Sequence, residues 1–575
     1  MTRNRRTLRT LGLTLLSVTI GGAGAFAQAP LNLPLSYPLR LQLQNNPEAL
    51  RELQSRPAPS AAAAVPTVVG PWQTTNFPFP VAGSPANPLL MTDGTVIVHL
   101  INNSNQGTPS WYQLTPDITG SYVNGTWSTF ASLRANYGPL FHASEVLPDG
   151  RVIINGEEYN LNENIVNGKQ MPVDTNSGAI YYPSLGAWTP VAPPAPGGIP
   201  WTTIGDAQSV VLNDGTYMLA NCCEFAPGVA ALFSGTPPFN SSAWIATGSG
   251  KFDDNDEEGW TVLPNGNVLT VDAYVASGTC DTNSEIYNAS TGMWSSAGST
   301  IVQLPDCNGN KSFELGPQAL RPDFAANGSG DNVIAFGGTT SGTTHTAIFN
   351  TSTLTWVAGP NVPSIGATPY TLADAPAATL PSGNVLFAAS PSNGAFQIPT
   401  NFWEVGPNSG GNVITLITQN PDGPSSSSFE WNFLVLPTGE VLAVAPQASP
   451  RVWIYTPLPG APNASWLPVI DTSPTDVHRA FTYQLTGKQF NGLTHGAAYG
   501  DDAQANTNYP IVKIVNMASG HVFYERTSGF NTMSVARNTA SSTNFTVSGT
   551  TETGPSTLYV IANGISSAGV LVTVH

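Results

Sequence analysis

The chain has 575 residues and a formal net charge of −17, with 56 glycines, 50 prolines and only 10% charged residues. Such a surface lacks the clustered Lys and Arg that phosphate binding requires, which argues against nucleic acid as a partner and against anionic membrane surfaces. Helical repeats need far more Glu, Lys and Leu, so the composition fits an all-β, loop-rich protein long enough for two folded domains.

Residues 1–27 read as a signal peptide. Arg3, Arg5, Arg6 and Arg9 form a basic region, Leu11 to Ile20 an apolar run, and Ala25-Phe26-Ala27 a small-x-small cleavage site. The run is too short to span a bilayer, and no other long uncharged apolar stretch follows it. The expectation is therefore a secreted or periplasmic chain with no membrane span once mature, with Arg5-Arg6 leaving both the general and the twin-arginine route open. Residues 28–66 form an arm and a Pro/Ala-rich linker, in which Asn46-Pro47-Glu48 opens a short helix running to about Ser55.

From residue 67 one phrase recurs: an apolar strand, a turn ending in Gly, and a second apolar strand. The turns are Thr92-Asp93-Gly94, Pro148-Asp149-Gly150, Asn213-Asp214-Gly215, Pro264-Asn265-Gly266, a degenerate one near Asn327-Gly328-Ser329-Gly330, Pro381-Ser382-Gly383 and Pro437-Thr438-Gly439. Each phrase leads to a third strand with an aromatic residue and a fourth with Trp, as in Ile286-Tyr287 before Trp294 and Ile348-Phe349 before Trp356. A spacing of roughly fifty to sixty-five residues suits propeller blades. With Gly337-Gly338 as a diglycine, residues 67–466 resemble a seven-bladed kelch-type β-propeller, although Gly156-Glu157 and Asp272-Ala273 depart from that family's pattern. Residues 467–575 alternate as strands, for example Phe481-Thr482-Tyr483-Gln484-Leu485 and Val570-Leu571-Val572-Thr573-Val574, and suit an immunoglobulin-like (E-set) β-sandwich. Trp72 and Trp466 compete to close the last blade.

This order of domains, with the ending Gly564-Ile565-Ser566-Ser567, is similar to galactose oxidase and glyoxal oxidase. The resemblance implies copper held by Tyr, Tyr-His and Cys at the entries of first strands and by a further His from the last domain. Here no Tyr-His occurs, and the segment matched to the last ligand reads Ser528-Gly529-Phe530-Asn531-Thr532. Oxygen ligands remain where imidazole and sulfur would be needed, which speaks against copper and for a harder cation.

Counting back six residues from Leu212, Leu263, Leu320, Leu380 and Leu436 reaches Asp206, Glu257, Glu314, Asp374 and Glu430. Repetition makes these positions equivalent in space, so a broken carboxylate ring is expected at the mouth of the channel, on the face of long loops. It serves either to lock blade to blade through backbone N–H groups or to bind a ligand or cation. In the second blade the same count gives Phe141-His142, and His142 is structural, a metal ligand, or a proton carrier paired with Asp206 or Glu257. Tyr159 and Tyr274 end second strands on that face. Asp253, Asn255 and Glu257 resemble part of a calcium loop but lack its distal Glu. Glu258 belongs to the same acidic rim, and Trp260 and Trp431 beside it could stack on sugar rings. Among four cysteines, Cys280 and Cys307 are expected to form a disulfide, while Cys222-Cys223 is either a vicinal disulfide or two thiols.

The sequence thus describes an exported binding protein whose acidic loop face engages a carbohydrate or a cation-bearing extracellular ligand. The alternatives are a galactose oxidase-like oxidoreductase, or a lyase or hydrolase using His142 with a rim carboxylate. No cofactor is assigned, calcium being the candidate, and the oligomeric state stays open.

Overall fold

A computed structural model describes residues 68–575, except 157–159, 161–163, 167–168, 172–174, 196–197, 206, 223–228, 238, 274–280, 307–313, 323–329, 395, 409–410, 459 and 501–503. The signal peptide, the arm with its helix, and Asp206, Tyr159, Tyr274, Cys223, Cys280 and Cys307 lie outside the described residues. Among those described, no helix is long and apolar enough to cross a membrane.

The chain is all-β, and its sheets form a propeller-like ring of six blades with two larger sheets. Five blades have four antiparallel strands in simple meander order, their first strands being Ser84–Leu90, Ala143–Val146, Ser209–Val211, Thr261–Val262 and Leu315–Arg321. The tight turns after those first strands hold because glycine supplies the backbone: Gly94, Gly150, Gly215 and Gly266 have φ of 77°, 82°, 88° and 86°, a region that side chains with a Cβ avoid. The aromatic residue of the third strand and the Trp of the fourth pair across the sheet, Tyr287 with Trp294 and Phe349 with Trp356, at ring distances of 5.4 and 5.1 Å. First strands read as continuous buried runs because they line the axis with both faces covered.

The sixth blade combines strands from the start of the described chain with strands more than 350 positions later. Asn432–Val435, Val441–Val444 and Val452–Tyr455 are joined on the outside by Trp72–Thr74, which pairs antiparallel with Val452–Tyr455, and then by Val68–Val69. This settles the closing strand in favour of Trp72. Trp466 instead packs in a small apolar cluster with Leu493 and Ile565.

A seven-stranded sheet stands between the fifth blade and this closing one. It runs from Gly411–Leu416 through Asn401–Asn408 and Val385–Pro391, beside which Tyr370–Thr371 also pairs, to Ala377–Thr379, and Ala377–Thr379 neighbours both Leu315–Arg321 and Asn432–Val435. Its inner edge does not end there. Gly496–Ala498 pairs with it through Ala377↔Ala498 and Ala378↔Ala497, and Ala505–Asn506 pairs with Gly496–Ala498.

This hairpin comes from the C-terminal region and occupies the axis of the ring. Its polar groups bond to inner strands from several blades: Ser144 Oγ donates to the Gln504 carbonyl at 2.8 Å, His495 Nε2 donates to the Val262 carbonyl at 2.7 Å, and Asn506 Nδ2 donates to Glu145 Oε1 at 2.6 Å. The remaining C-terminal strands make a nine-stranded sheet in the order Val469–Thr472, Thr482–Lys488, Ala540–Thr546, Val522–Ser528, Ile511–Asn516, Gly554–Ala562, Val570–Val574 and Asp476–Val477, with Ile565–Ser566 beside Gly554–Ala562. It folds around its own core of Leu485, Val512, Ile514, Phe545, Leu558 and Val572. This unit abuts the tight-turn side of the ring: the Thr527 amide donates to the Thr92 carbonyl at 3.2 Å, Phe530 to Pro148 at 2.9 Å and Met533 to Asn213 at 3.0 Å.

Candidate functional site

The other side of the ring, where first strands begin, carries the acidic residues. Glu257, Glu314 and Asp374 approach the axis from three successive sheets, and one carboxylate oxygen of each lies within 4.8 Å of the others. All three are buried, at 1%, 0% and 6% exposure. Glu257 and Asp374 hold left-handed backbone, with φ of 61° and 49°, which residues with a Cβ adopt only when their surroundings enforce it. The hairpin reaches this point: a Cβ placed on Gly500 would fall 2.9 Å from Asp374 Oδ1, and one on Gly259 would fall 2.8 Å from the Gly500 carbonyl. The C-terminal unit therefore contacts the triad through the bore of the ring.

Glu430, reached by the same count, turns away to local work. Its Oε2 accepts from the Ser427 amide at 2.7 Å, closing a capping box around the short turn Ser428–Glu430.

The acidic linker 253–258 is divided between two clusters. Glu257 joins Glu314 and Asp374, whereas Asp253 and Glu258 join Asp272. Asn255 is aimed elsewhere, its Nδ2 donating to the Val229 carbonyl at 3.1 Å. In the second cluster the buried Lys251 ammonium donates to Asp253 Oδ1, to Glu258 Oε2 at 3.0 Å and to Glu285 Oε2 at 2.9 Å. Gln208 Nε2 and Trp260 Nε1 both donate to Glu258 Oε1, at 3.0 and 3.2 Å. Burial would discharge Lys251, but the surrounding carboxylates hold it well above the ordinary lysine range. Burial pushes Asp253 up to about 6, Asp272 up to about 8 with the Asp253 charge adding to it, and Glu258 well above the ordinary carboxylate range.

Trp260 and Trp431 are buried at 9% and 0% exposure, so neither offers a ring face to a sugar. Trp431 Nε1 donates to Ser426 Oγ at 2.8 Å. His142 is wholly buried, edge-on to His99 at 5.9 Å and to Trp111 at 5.8 Å, with neither ring nitrogen hydrogen-bonded among the described residues. Burial, with His99 adding to it, keeps its ring neutral. Cys222 is buried and disulfide-bonded, its partner lying outside the described residues, which removes the free-thiol option at that position.

A cleft of about 570 Å³ opens on the opposite side between the first blade and the C-terminal sheet. Asp93 and Arg526 line it and pair at 3.2 Å. Sequence reasoning missed Lys251, Asp272, Glu285, His495 and Gln504. Lys251 next to an acidic run was the available signal for the first; the others stand alone in their segments.

No family model matches the chain, and no curated protein matches it. Among solved structures it is similar to an extracellular domain described as that of a one component system of B. thetaiotaomicron, with TM-score 0.39, 11% identity, and coverage of 86% of this chain and 58% of that one. A second structure, described as the extracellular domain of a hybrid two component system of the same organism, gives TM-score 0.40, 10% identity, and coverage of 90% and 60%. The chain thus spans about three-fifths of these two. A Dyadobacter fermentans protein of unknown function gives TM-score 0.30, 11% identity, and coverage of 68% and 100%.

Proposed function

We propose that the chain is an exported binding protein of kelch type. In this reading the seven-stranded sheet supplies a seventh blade, and the C-terminal strands are an immunoglobulin-like sandwich that threads the ring. Its acidic loop face takes a hard divalent cation, and through that cation the hydroxyl or carboxylate oxygens of an extracellular ligand such as a carbohydrate. Cys280 and Cys307, on the same face, pair as a disulfide.

The observation that carries this is the meeting of Glu257, Glu314 and Asp374 within 4.8 Å, from three separate sheets. Three carboxylates confined in this way repel one another, and a cation among them would let all three remain ionised. Oxygen-only donors select calcium-like ions over copper. Two of the three, Glu257 and Asp374, also carry the conformational cost of left-handed backbone.

The test is calorimetric titration of the full chain with calcium, beside Glu314→Gln. Loss of one calcium equivalent in the variant at unchanged melting temperature is expected. Equal affinity in both proteins, or a variant that only melts earlier, would make the triad a blade lock rather than a site.

A further inference from the structure

The second acidic cluster is a separate matter and does not depend on the triad. Four buried carboxylates, Asp253, Glu258, Asp272 and Glu285, surround Lys251, so one positive charge faces four acidic groups. Hydrogen bonds are unevenly shared. Glu258 accepts from Lys251, Gln208 and Trp260, and Glu285 from Lys251 and the Phe252 amide. Asp253 spends Oδ1 on Lys251, and its Oδ2 accepts nothing among the described residues. Asp272 is 1% exposed, and neither of its oxygens accepts a hydrogen bond among the described residues.

That unpartnered carboxylate is aimed into the cluster, with an oxygen within 4.8 Å of oxygens from both Asp253 and Glu258. Buried carboxylates without donors are rare because desolvation is uncompensated. A single proton could quiet Asp272 but would leave Asp253 Oδ2 as it is; a cation placed among the three serves both. All-oxygen donors in a buried pocket suit calcium, which takes oxygens in flexible geometry, better than magnesium, which demands a near-ideal octahedron and keeps several waters.

We infer that Asp253, Glu258 and Asp272 form a structural calcium site that ties the 251–258 linker to the end of the strand Val268–Val271. Lys251 stands beside the ion as a fixed second cation, which explains how one ammonium and one divalent ion together balance four carboxylates to within one charge. Because Asp272 follows one strand while Asp253 and Glu258 belong to the linker ahead of that blade, the ion cross-links the two segments. The site is buried, so calcium is held as part of the fold and exchanges slowly.

The experiment measures calcium content of the full purified chain by elemental analysis, and its melting temperature with calcium and with chelator. Terbium luminescence serves as a direct probe, because Trp260 bonds Glu258 and the Trp294 ring lies 5.4 Å from the Lys251 ammonium, placing both indoles to sensitise a lanthanide. The expected result is a calcium-dependent rise in melting temperature of several degrees, together with Trp-sensitised terbium emission. Asp272→Asn should lose the Trp-sensitised emission and one calcium equivalent, with the rise in melting temperature shrinking to what the triad supplies, while Glu314→Gln keeps the emission. Asp253→Asn repeats the test should Asp272→Asn fold poorly. Retention of both signals in the Asp272 and Asp253 variants would overturn the inference, as would identical melting with calcium and chelator. Loss in Glu314→Gln alone would assign the ion to the triad instead.

Discussion

Trp72 Nε1 donates to the carbonyl of Thr418 at 2.8 Å, a bond that joins the start of the described chain to a residue 346 positions later. The same indole packs on Phe402 at 4.9 Å and Tyr455 at 4.8 Å, and the residue is wholly buried. A ring whose last sheet borrows its outer strand from the N-terminal side is closed by hydrogen bonds, not by a covalent link. Trp72→Ala removes the indole and its packing and should cost about 3–5 kcal/mol. Denaturant unfolding would show this as a lower midpoint. An unchanged midpoint would mean that Trp72–Thr74 is not needed for closure.

Gly500 is the second point where distant segments meet. Its Cβ position is 2.9 Å from Asp374 Oδ1 and 3.0 Å from Asp374 Cα, the latter backbone that cannot rotate away. Gly500→Ala should displace the hairpin tip or Asp374, and so weaken calcium binding at the triad several-fold with a melting-point loss of a few degrees at most. Titration of the variant checks this. Full affinity would show that the hairpin tip does not shape the triad.

Asp272 makes the metal-free protein lose stability as pH rises from mildly acidic to about 8. Its carboxyl is raised from the usual carboxylate range to about 8, by burial first and by the Asp253 charge second. The folded state therefore keeps a proton that the unfolded chain releases above about pH 4. Stability contributed by that proton is complete below the unfolded value and is lost as pH rises toward about 8, at up to about 1.4 kcal/mol per pH unit. Melting temperatures in chelator should fall across this window, and Asp272→Asn should flatten the fall. A slope unchanged in that variant would assign it to other buried acids, such as Glu145 and Glu525, which burial also raises.

The histidines act at the acid end. Burial lowers His99 to about 4, against a raising effect from its bond to the Thr108 carbonyl, and lowers the neighbouring His142 further below its usual range. Here the unfolded chain binds protons more readily than the folded one. Stability is present above about pH 6.5 and is lost as pH falls toward about 4. His142→Phe keeps a ring in the apolar site and removes one buried group that must stay neutral, so its acid transition should be shallower than that of the parent. An identical acid transition would show that His142 does not contribute.

The turns and the aromatic pairs were legible in the sequence because each is a local rule repeated: Gly94, Gly150 and Gly215 are demanded by turn geometry, and Trp294 and Trp356 by cross-strand packing. The meeting of Glu257, Glu314 and Asp374 was legible for a related reason, since repetition turns sequence register into spatial register. Glu430 shows the limit of that logic, because a Ser-Ser-Phe-Glu turn offered its carboxylate a nearer backbone partner. The inserted hairpin was not legible. Gly496-Ala497-Ala498 has no strand propensity, and it pairs only because small side chains alone fit between inner strands. Lys251 with Asp272 was hidden for a third reason: their closeness depends on how a linker crosses the end of a neighbouring strand, which no period encodes.

Lys251 provides the sharpest test of the buried cluster. Lys251→Met preserves the length of the stem and deletes the ammonium that serves Asp253, Glu258 and Glu285. Removing one partner from a buried ion network costs about 3–5 kcal/mol, since the charges left behind are uncompensated. With a calcium ion also present in the cluster, that loss should be partly recovered by calcium, and the variant's melting temperature should depend on calcium more steeply than the parent's. A Lys251→Met protein as stable as the parent in chelator would mean that the four carboxylates are protonated rather than paired. A variant destabilised equally with and without calcium would mean that Lys251 is the cluster's sole cation.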